Sequence, residues 1–306
     1  MFTESRAVFY HCVSPVHMGS GTALGVVDNP IQRERHSQFP VFAGSGIKGA
    51  LRHHLHSLGT ADQAKLNAVF GPESHKNAEL HAGAISFTDA QLLAFPVRSG
   101  RQAYAYLTCP LALATAQRAL ALAKVNCNWT IPSVEDDHAL TTSSSLGATS
   151  VALELFAFPS AESNDLKQIA QLLADHMPAG VEWDYFRKKL RSDLMLVSNT
   201  DFSYFVRNAT SVEPHVSINN KTGAASDGLL FYTENLPPEA ILLGLMLASQ
   251  TRVRPSREPG APPPFTMKAD EVVQFATEAL HGAIQFGGDA TTGRGQVALK
   301  VAGGQQ

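Results

Sequence analysis

The sequence predicts an α+β fold in which helices pack on an antiparallel sheet. Segments rich in β-branched and aromatic residues occur in the order strand, helix, several strands, helix, strand. Hydrophobic residues make up 44% of the 306 residues, which is enough for a sizeable core. The 23 Gly and 17 Pro residues indicate many turns, and no internal repeat is present.

Composition excludes several classes of protein. The net charge of −3 argues against a generally basic nucleic-acid binder, although a local basic face can still attract a polyanion. The longest apolar run, Ile241–Ala248, is far shorter than the ~20 residues that span a bilayer. Cys12, Cys109 and Cys127 are widely spaced, which is typical neither of a disulfide framework nor of a zinc finger. We therefore expect a cytoplasmic protein without a membrane partner.

The first elements are a strand over Ala7–Ser14 and a long loop over Pro15–Ala43. Loops of this length inside a compact domain are commonly functional. A helix follows, because apolar residues recur at helical spacing from Ile47 to Leu58. The opposite face of this helix is polar and cationic, with Ser45, Lys48, Arg52 and His56.

The middle of the chain alternates short strands and helices. We expect a polar loop over Glu135–Ser150 and an extended hairpin over Asp201–Asp227 that turns at Asn219–Gly223. The predicted strands are Ala84–Asp89, Ala103–Thr108 and Ser150–Phe158, and the predicted helices are Leu111–Lys124, Asp165–Met177 and Val181–Leu190.

The C-terminal part begins with a proline-rich segment, Arg252–Phe265, which cannot form a helix or a central strand and is expected to be a mobile loop. A helix over Ala269–Leu280 and a strand over Ala283–Phe286 come next. The loop Gly287–Gly295 holds four glycines and leads to a last strand, Gln296–Val301.

Asp28 is the first candidate for chemistry, because it lies in a loop bounded by Gly and Pro and close to two arginines. Two interpretations stay open from the residues alone. An aspartate in a loop commonly caps a turn. It can also bind a divalent cation or position a nucleophile.

The start of the Ile47 helix is a candidate anion site, because small residues there leave main-chain N–H groups accessible. Between Ile31 and His56 the sequence has four Lys or Arg residues and only one acid, Glu34. A solvated helix face is the alternative. The glycines of Gly287–Gly295 permit close approach of a ligand or chain, or simply a tight hairpin. Fingerprints of dinucleotide-binding, P-loop and serine-hydrolase proteins are absent from the sequence.

Several segments resemble one family. They are the N-terminal runs Ser14–Thr22 and Gly25–His36, the runs Phe39–Val41 and Gly44–Arg52, the segment Gly228–Pro238 and the loop Gly287–Gly295. Together they are similar to the RAMP-superfamily backbone subunits of type III-B CRISPR effectors, the Cmr complexes. The resemblance extends over the whole chain, except that about residues 137–207 match no known motif.

The resemblance implies a modified RRM-like, or ferredoxin-like, palm over residues 1–306, with helical insertions and an inserted β-hairpin thumb near residues 201–227. It also implies that copies stack head to tail along a guide CRISPR RNA, next to other Cmr effector subunits. Each thumb would flip one nucleotide out of the guide–target duplex, and target RNA would be cut beside it.

The site residues follow from the same resemblance. Asp28 would carry metal-dependent cleavage and is the possible metal ligand, with Mg²⁺ or Mn²⁺ as the implied cofactor. His17 is a weaker catalytic candidate. The expected RNA-binding residues are Ser45, Lys48, Arg52, Gly44, Gly46, Arg33, Arg35, Arg207, Gly293, Arg294 and Gly295.

Two other functions remain open at this point. The first is a structural guide-RNA-binding subunit without catalysis. The second is a metal-independent endonuclease that processes guide RNA with a histidine base.

Overall fold

A computed structural model describes residues 1–59, 62–72, 81–224, 230–253, 265–278 and 280–304. Its N-terminal half follows the predicted order, with β-branched and aromatic segments forming strands and the Ile47 segment forming a helix. The elements are β1 (Glu4–Cys12), β2 (Val41–Phe42), α1 (Gly44–Ser57), α2 (Gln63–Phe70), β3 (Ile85–Phe87), β4 (Ala90–Arg98), β5 (Tyr104–Thr108), α3 (Pro110–Leu122) and β6 (Ala139–Thr141).

The second half adds one more helical pair, a hairpin and the last strands of the sheet. Its elements are β7 (Ser150–Leu153), β8 (Phe156–Glu162), α4 (Asn164–Asp175), α5 (Asp184–Asp193), β9 (Leu194–Val197), α6 (Asn199–Asn208), β10 (Ser211–His215), β11 (Phe231–Asn235), β12 (Ile241–Ala248), α7 (Ala269–Glu278), β13 (Ala283–Gln285) and β14 (Gln296–Ala302).

Twelve strands form one mixed sheet, in the order β13-β14-β1-β12-β4-β5-β9-β6-β8-β7, with β2 beside β4 and β3 beside β12. The pairs β5–β9 and β6–β8 are parallel, and the other pairs are antiparallel. The strands β10 and β11 form a separate two-stranded sheet. The predicted α+β class is confirmed.

Helices cover both faces of the large sheet. On β1, Val8 and Tyr10 belong to a buried cluster with residues of α1, α2, α6 and α7, whereas Ala7 and Phe9 belong to a second cluster with residues of α3, α4 and α5. Successive side chains of a strand point to opposite faces, so β1 is apolar along its length because both of its faces are covered.

The expected hairpin over Asp201–Asp227 begins later than predicted. Its first residues form α6, in which Phe202, Phe205 and Val206 are buried on one helical face. Ser198 caps this helix, since its side chain accepts a hydrogen bond from the main-chain N–H of Asp201. The predicted turn is present: the N–H of Gly223 donates to the carbonyl of Asn219 at 2.8 Å.

Other segments also differ from the predictions. The helix α2 and the strands β4, β9, β11 and β12 were not predicted, and β4 contains Pro96, a residue that is disfavoured inside a sheet. The polar loop Glu135–Ser150 contains the short strand β6, and the predicted strand Ser150–Phe158 is the hairpin β7–β8, which turns at Glu154 in the left-handed region. The predicted helix Val181–Leu190 starts as one 3₁₀ turn before α5.

Most of the proline-rich segment Arg252–Phe265, residues 254–264, lies outside the described residues. Within the part that the structure describes, none of the helices is both long enough and apolar enough to cross a membrane.

Candidate active site

The main chain of β11 fixes the position of the Asp28 carboxylate. Its Oδ2 atom accepts a hydrogen bond from the N–H of Tyr232 at 2.7 Å. The N–H groups of Asp28 and Asn29 in turn donate to the carbonyl of Tyr232 at 3.1 and 3.0 Å. Asp28 is half-buried, and its Oδ1 atom receives no hydrogen bond from the described residues. One carboxylate oxygen thus accepts no hydrogen bond from the described residues and can interact with a ligand.

His17 is held two residues further along the same strand. Its Nδ1 atom lies 2.7 Å from the carbonyl oxygen of Glu234. Since a carbonyl can only accept, Nδ1 carries the proton in the neutral ring and Nε2 presents a lone pair. A Cβ atom at position 19 would lie 2.7 Å from this Nε2, so glycine at that position leaves room beside the imidazole.

Strand β11 brings Asp28 and His17 to one edge. Tyr232 and Glu234 point their main-chain groups away from β10, since the N–H of Glu234 bonds to the carbonyl of Asn29 at 3.0 Å. Groups two residues apart on a strand are separated by about 7 Å. A carboxylate and an imidazole are thus anchored one strand step apart, a spacing that one ribose–phosphate unit can bridge.

Glu234 organises the loop that follows Asp28. Its side chain is 6% exposed and accepts from Arg33 at 2.5 Å, from the hydroxyl of Thr210 at 2.8 Å and from the N–H of Ile31 at 3.0 Å. Arg33 also donates to the carbonyls of Gln38 and Val206, both at 2.9 Å. A buried acid that lost these donors would be left uncompensated, so the set holds the Asp28 loop in place.

The predicted RNA-binding arginines of this region therefore differ in role. Arg33 is engaged with Glu234 and with two carbonyls, which makes it part of the scaffold. Arg35 is exposed. Arg207 is exposed at the end of α6, where its Nε atom donates to the carbonyl of Ser203 at 2.9 Å.

The cationic face of α1 is present. Ser45 and His56 are exposed, and Lys48 and Arg52 are half-buried. Partial burial, and secondly the nearby Arg52 charge, lower the pKa of Lys48. Arg52 also donates to Asn67 at 3.1 Å and to the carbonyl of Gly71, which ties α1 to the end of α2.

Gly44 and Gly46 serve packing in this structure. A Cβ atom at position 44 would collide with the main-chain oxygen of Phe87, and one at position 46 would lie 2.8 Å from Cε of Met18. The N–H of Gly44 donates to Asp89 at 2.8 Å. The first N–H of α1 is thus already paired with a carboxylate that lies 45 positions away in the sequence.

The glycine-rich loop packs against the segment that carries His17. The N–H of Gly288 donates to the carbonyl of His17 at 2.9 Å, and the N–H of Gly295 donates to the carbonyl of Pro15 at 2.8 Å. Gly293 has a left-handed φ of 80°. Arg294 forms an ion pair with Glu213 on β10, so this loop also contacts the hairpin.

A family model described as the RAMP superfamily matches residues 9–298. This chain belongs to the RAMP superfamily. The CRISPR system Cmr endoribonuclease Cmr4 of Pyrococcus furiosus is 34% identical over 307 residues, which cover 97% of this chain and 96% of that relative. The family indicated by the sequence resemblance is confirmed.

Solved structures agree with the membership of this RAMP chain. The crystal structure of oligomeric Cmr4 from Pyrococcus furiosus has a TM-score of 0.74 and 25% identity, and covers 99% of this chain and 100% of that one. The cryo-EM structure of type III-B Cmr-beta bound to cognate target RNA has a TM-score of 0.72 over 98% of each chain. Its 18% identity shows a likeness of fold.

The donor set for a metal in this RAMP chain is small. Among the described residues no three His, Cys, Asp or Glu side chains are grouped so as to hold an ion. Asp28 Oδ1 would nevertheless be the atom to hold a Mg²⁺ or Mn²⁺ ion, since Mg²⁺ is commonly bound by one or two carboxylates plus substrate phosphates.

Glu234 is the functional residue that sequence reasoning missed in this RAMP chain. The segment Gly228–Pro238 was noted only as part of the family resemblance, and the partner of Glu234, Arg33, is 201 positions away. The sequence shows only a carboxylate between Thr233 and Asn235, and its burial becomes visible in the structure.

Proposed function

We propose that this chain is the repeated backbone subunit of a type III-B effector, and that it binds guide RNA and cleaves complementary target RNA. The anchoring of Asp28 and His17 on one edge of β11 carries this proposal. The name of the Pyrococcus relative, a Cmr endoribonuclease, supports it over nearly the whole chain.

The reaction that suits this geometry is attack of a target 2′-hydroxyl on the adjacent phosphate. The bond from the 2′ oxygen to phosphorus forms while the bond from phosphorus to the 5′ oxygen breaks. His17 Nε2 accepts the 2′-hydroxyl proton, and the 5′ oxygen takes a proton from solvent. The products are a 2′,3′-cyclic phosphate and a 5′-hydroxyl.

Asp28 orients the reacting ribose–phosphate unit through its free Oδ1 atom. Its other oxygen is bonded to the Tyr232 N–H, which favours one orientation of the carboxylate. A bound divalent cation would neutralise charge on the attacked phosphate. Positioning toward in-line geometry supplies a large part of such a rate enhancement.

Guide RNA would bind along the cationic face of α1. Lys48 and Arg52 suit phosphate oxygens, and Ser45 adds a hydroxyl donor at the exposed start of the helix. Contacts to phosphates position RNA without reading its sequence, which base pairing with the target then supplies.

Assembly would place copies head to tail, with other Cmr subunits beside them. The P. furiosus structure is described as oligomeric Cmr4, and the Cmr-beta structure as bound to cognate target RNA. The hairpin β10–β11 suits a thumb because its apolar side chains are exposed, namely Val212, Val216, Ile218, Leu230, Phe231 and Tyr232.

The test is cleavage of a labelled complementary RNA by a reconstituted effector that contains this chain. We expect products at regular spacing, with 2′,3′-cyclic phosphate ends, and their loss on chelation of divalent cations. An effector that assembles but leaves its target intact would identify a structural subunit. Cutting of repeat RNA by the isolated chain without metal would identify a guide-processing enzyme.

A further inference from the structure

The segment immediately before Asp28 forms a tight turn. The N–H of Ala23 donates to the carbonyl of Asp28 at 2.9 Å, so residues 24–27 are closed into a short loop directly beside the candidate carboxylate. One step further along the two limbs, the N–H of Ser20 donates to the carbonyl of Pro30 at 2.9 Å. These two hydrogen bonds form the stem of a projection, and residues 24–27 are its tip.

Two apolar side chains of the 24–27 tip are exposed to solvent. Leu24 is fully exposed and Val26 is 90% exposed. A Cβ atom at position 25, between them, would meet no atom within 4 Å, and the same holds at position 21. A single exposed apolar side chain is ordinary on a protein surface, but two on a four-residue loop form an apolar contact surface.

Chain geometry keeps both side chains close to the Asp28 carboxylate. Val26 precedes Asp28 by two residues, which span at most about 7 Å. Leu24 follows Ala23, whose N–H is bonded to the carbonyl of Asp28. An RNA phosphate bound at Asp28 Oδ1 thus brings the neighbouring base step within reach of the 24–27 tip.

The composition of the projection favours a nucleobase as the group that the tip contacts. Residues 19–27 contain no charged side chain. Apolar side chains of nucleic-acid-binding proteins insert between base steps, partially unstack them and kink the strand. A second protein chain seated on Leu24 and Val26 would occupy the approach to Asp28 that a target strand needs. RNA is therefore the occupant that is compatible with cleavage at Asp28.

Cleavage beside Asp28 also requires a distorted RNA strand. In-line attack aligns the target 2′ oxygen, the phosphorus and the departing 5′ oxygen, an alignment that a stacked A-form strand does not offer. Holding reacting groups in the productive geometry is a main source of rate enhancement. A wedge that opens one base step beside the phosphate gives the ribose the freedom to reach this alignment.

We propose that Leu24 and Val26 form an apolar wedge that inserts at the base step next to the scissile phosphate of target RNA. The inference rests on the proposed cleavage of target RNA and adds a second contact to that of the thumb. The wedge lies next to the hairpin β10–β11, since the N–H of Asp28 donates to the carbonyl of Tyr232 at 3.1 Å. The two projections contact the target strand at neighbouring points.

Fluorescence of 2-aminopurine, which rises when this base unstacks, tests the wedge without relying on cleavage. The base is placed beside the scissile phosphate of a target whose reacting 2′-hydroxyl is replaced by hydrogen, so that the strand stays intact. Leu24→Asn combined with Val26→Thr makes the tip polar at nearly constant size. Leu155→Asn, at a leucine that is 91% exposed in the turn between β7 and β8, is the matched control.

We expect the wild-type and control effectors to raise the fluorescence about twofold or more above that of the free guide–target duplex. The double variant should give about half that rise or less. On the unmodified target it should also cut about tenfold more slowly, because the reacting groups reach the in-line geometry less often. Its affinity for the target should stay close to that of wild type, since the contacts of the wedge offset the cost of unstacking.

The outcomes separate the wedge from the proposed function. Equal fluorescence in all three effectors overturns the wedge, whatever their cleavage rates. If the double variant folds but does not assemble, the tip is a contact between protein chains and the choice of RNA is overturned. If the double variant does not fold, the single variant Leu24→Asn decides by the same fluorescence. A wild-type effector that unstacks the base but leaves the unmodified target intact supports the wedge and contradicts the proposed function.

Discussion

At the scale of single residues, main-chain contacts decide what Asp28 and His17 can do. A hydrogen bond from the Tyr232 N–H orients the carboxylate, and the Glu234 carbonyl fixes the proton of His17 on Nδ1. Both side chains therefore present one free acceptor atom to a substrate. The side chain of Glu234 adds rigidity, since it binds the loop through Arg33 and Ile31.

We expect His17→Ala to slow target cleavage by about 100-fold or more, because a general base typically contributes a factor of 10² to 10⁴. Guide binding and assembly should stay intact. The rate of single-turnover cleavage by the reconstituted effector measures this, with His138→Ala, at an exposed position, as the control. An unchanged rate for His17→Ala would remove the histidine from the mechanism.

Because His11 is buried, we expect the free energy of unfolding to decrease in acid. This histidine is 2% exposed, and burial lowers its pKa from 6.5 to about 4, although a bond to the carbonyl of His176 opposes this. Below pH 6.5 the unfolded chain binds a proton that the folded chain rejects, so stability falls as the pH drops from 6.5 to about 4. At 1.36 kcal/mol per pKa unit, the full loss is about 3 kcal/mol.

Denaturant unfolding of wild type and His11→Phe at pH 7 and pH 5 measures this effect. Phenylalanine keeps the stacking against Phe9 and carries no titrating group. The stability difference between the two pH values should be smaller in the variant. An equal difference in both proteins would mean that other groups cause the acid sensitivity.

At the scale of elements, the packing of α1 against the sheet depends on glycine at position 44, where a side chain would not fit. The helix begins against the end of β3, where the main-chain oxygen of Phe87 occupies the space of a Cβ at position 44. The neighbouring Gly49 faces open space on the same helix. The two glycines therefore offer a matched pair of substitutions.

We expect Gly44→Ala to destabilise the fold by about 1–3 kcal/mol, as overpacking against a fixed main chain does. Gly49→Ala should stabilise it by about 0.5–1 kcal/mol, because alanine is favoured over glycine inside a helix. Thermal denaturation of the two variants measures both effects. Equal stabilities would show that α1 can shift away from β3 at little cost.

The outward face of α1 should carry guide RNA. Lys48→Ala is expected to weaken RNA binding and to reduce the slope of log affinity against log salt by about 0.7, the value for one phosphate of a single strand. Titrations at several salt concentrations measure this, with Lys167→Ala on α4 as the control. An unchanged slope for Lys48→Ala would place the RNA elsewhere.

Local sequence patterns correctly predicted those elements whose formation depends mainly on residues close together in the sequence. The apolar spacing from Ile47 onward identified α1, and Asn219 with Gly223 identified a turn. Strand β4 contains Pro96, and β9 is only four residues long, so long-range pairing decided both. The helix α6 was not predicted because polar residues alternate with its few apolar ones. Its apolar face is defined by a long-range contact, that of Phe202 with Phe39.

The candidate site shows the same division. Asp28 stood out from its loop before the resemblance gave it a role and added His17 as a weaker candidate. Glu234 and Asp89 were missed because their partners are remote in sequence. Arg33 was expected to bind RNA and is paired with Glu234 instead. Charge counted along a sequence does not show which cations the fold has already neutralised.

At the scale of the whole molecule, one sheet separates distinct surfaces. The residues 15–36, the hairpin and the glycine-rich loop converge around β11, and α1 presents its cations beside them. The cationic face of α1 and the exposed apolar hairpin are thus different surfaces of one chain whose net charge is only −3.

Cleavage of target RNA by effectors that differ only at Asp28 tests the central claim most directly. Asp28→Asn keeps the size of the side chain and removes its charge, and Asp136→Asn, at an exposed position, is the matched control. Both effectors should assemble and bind target as wild type does. The account predicts that only Asp28→Asn abolishes cutting at every position, and persistent cleavage by an assembled Asp28→Asn effector would contradict it.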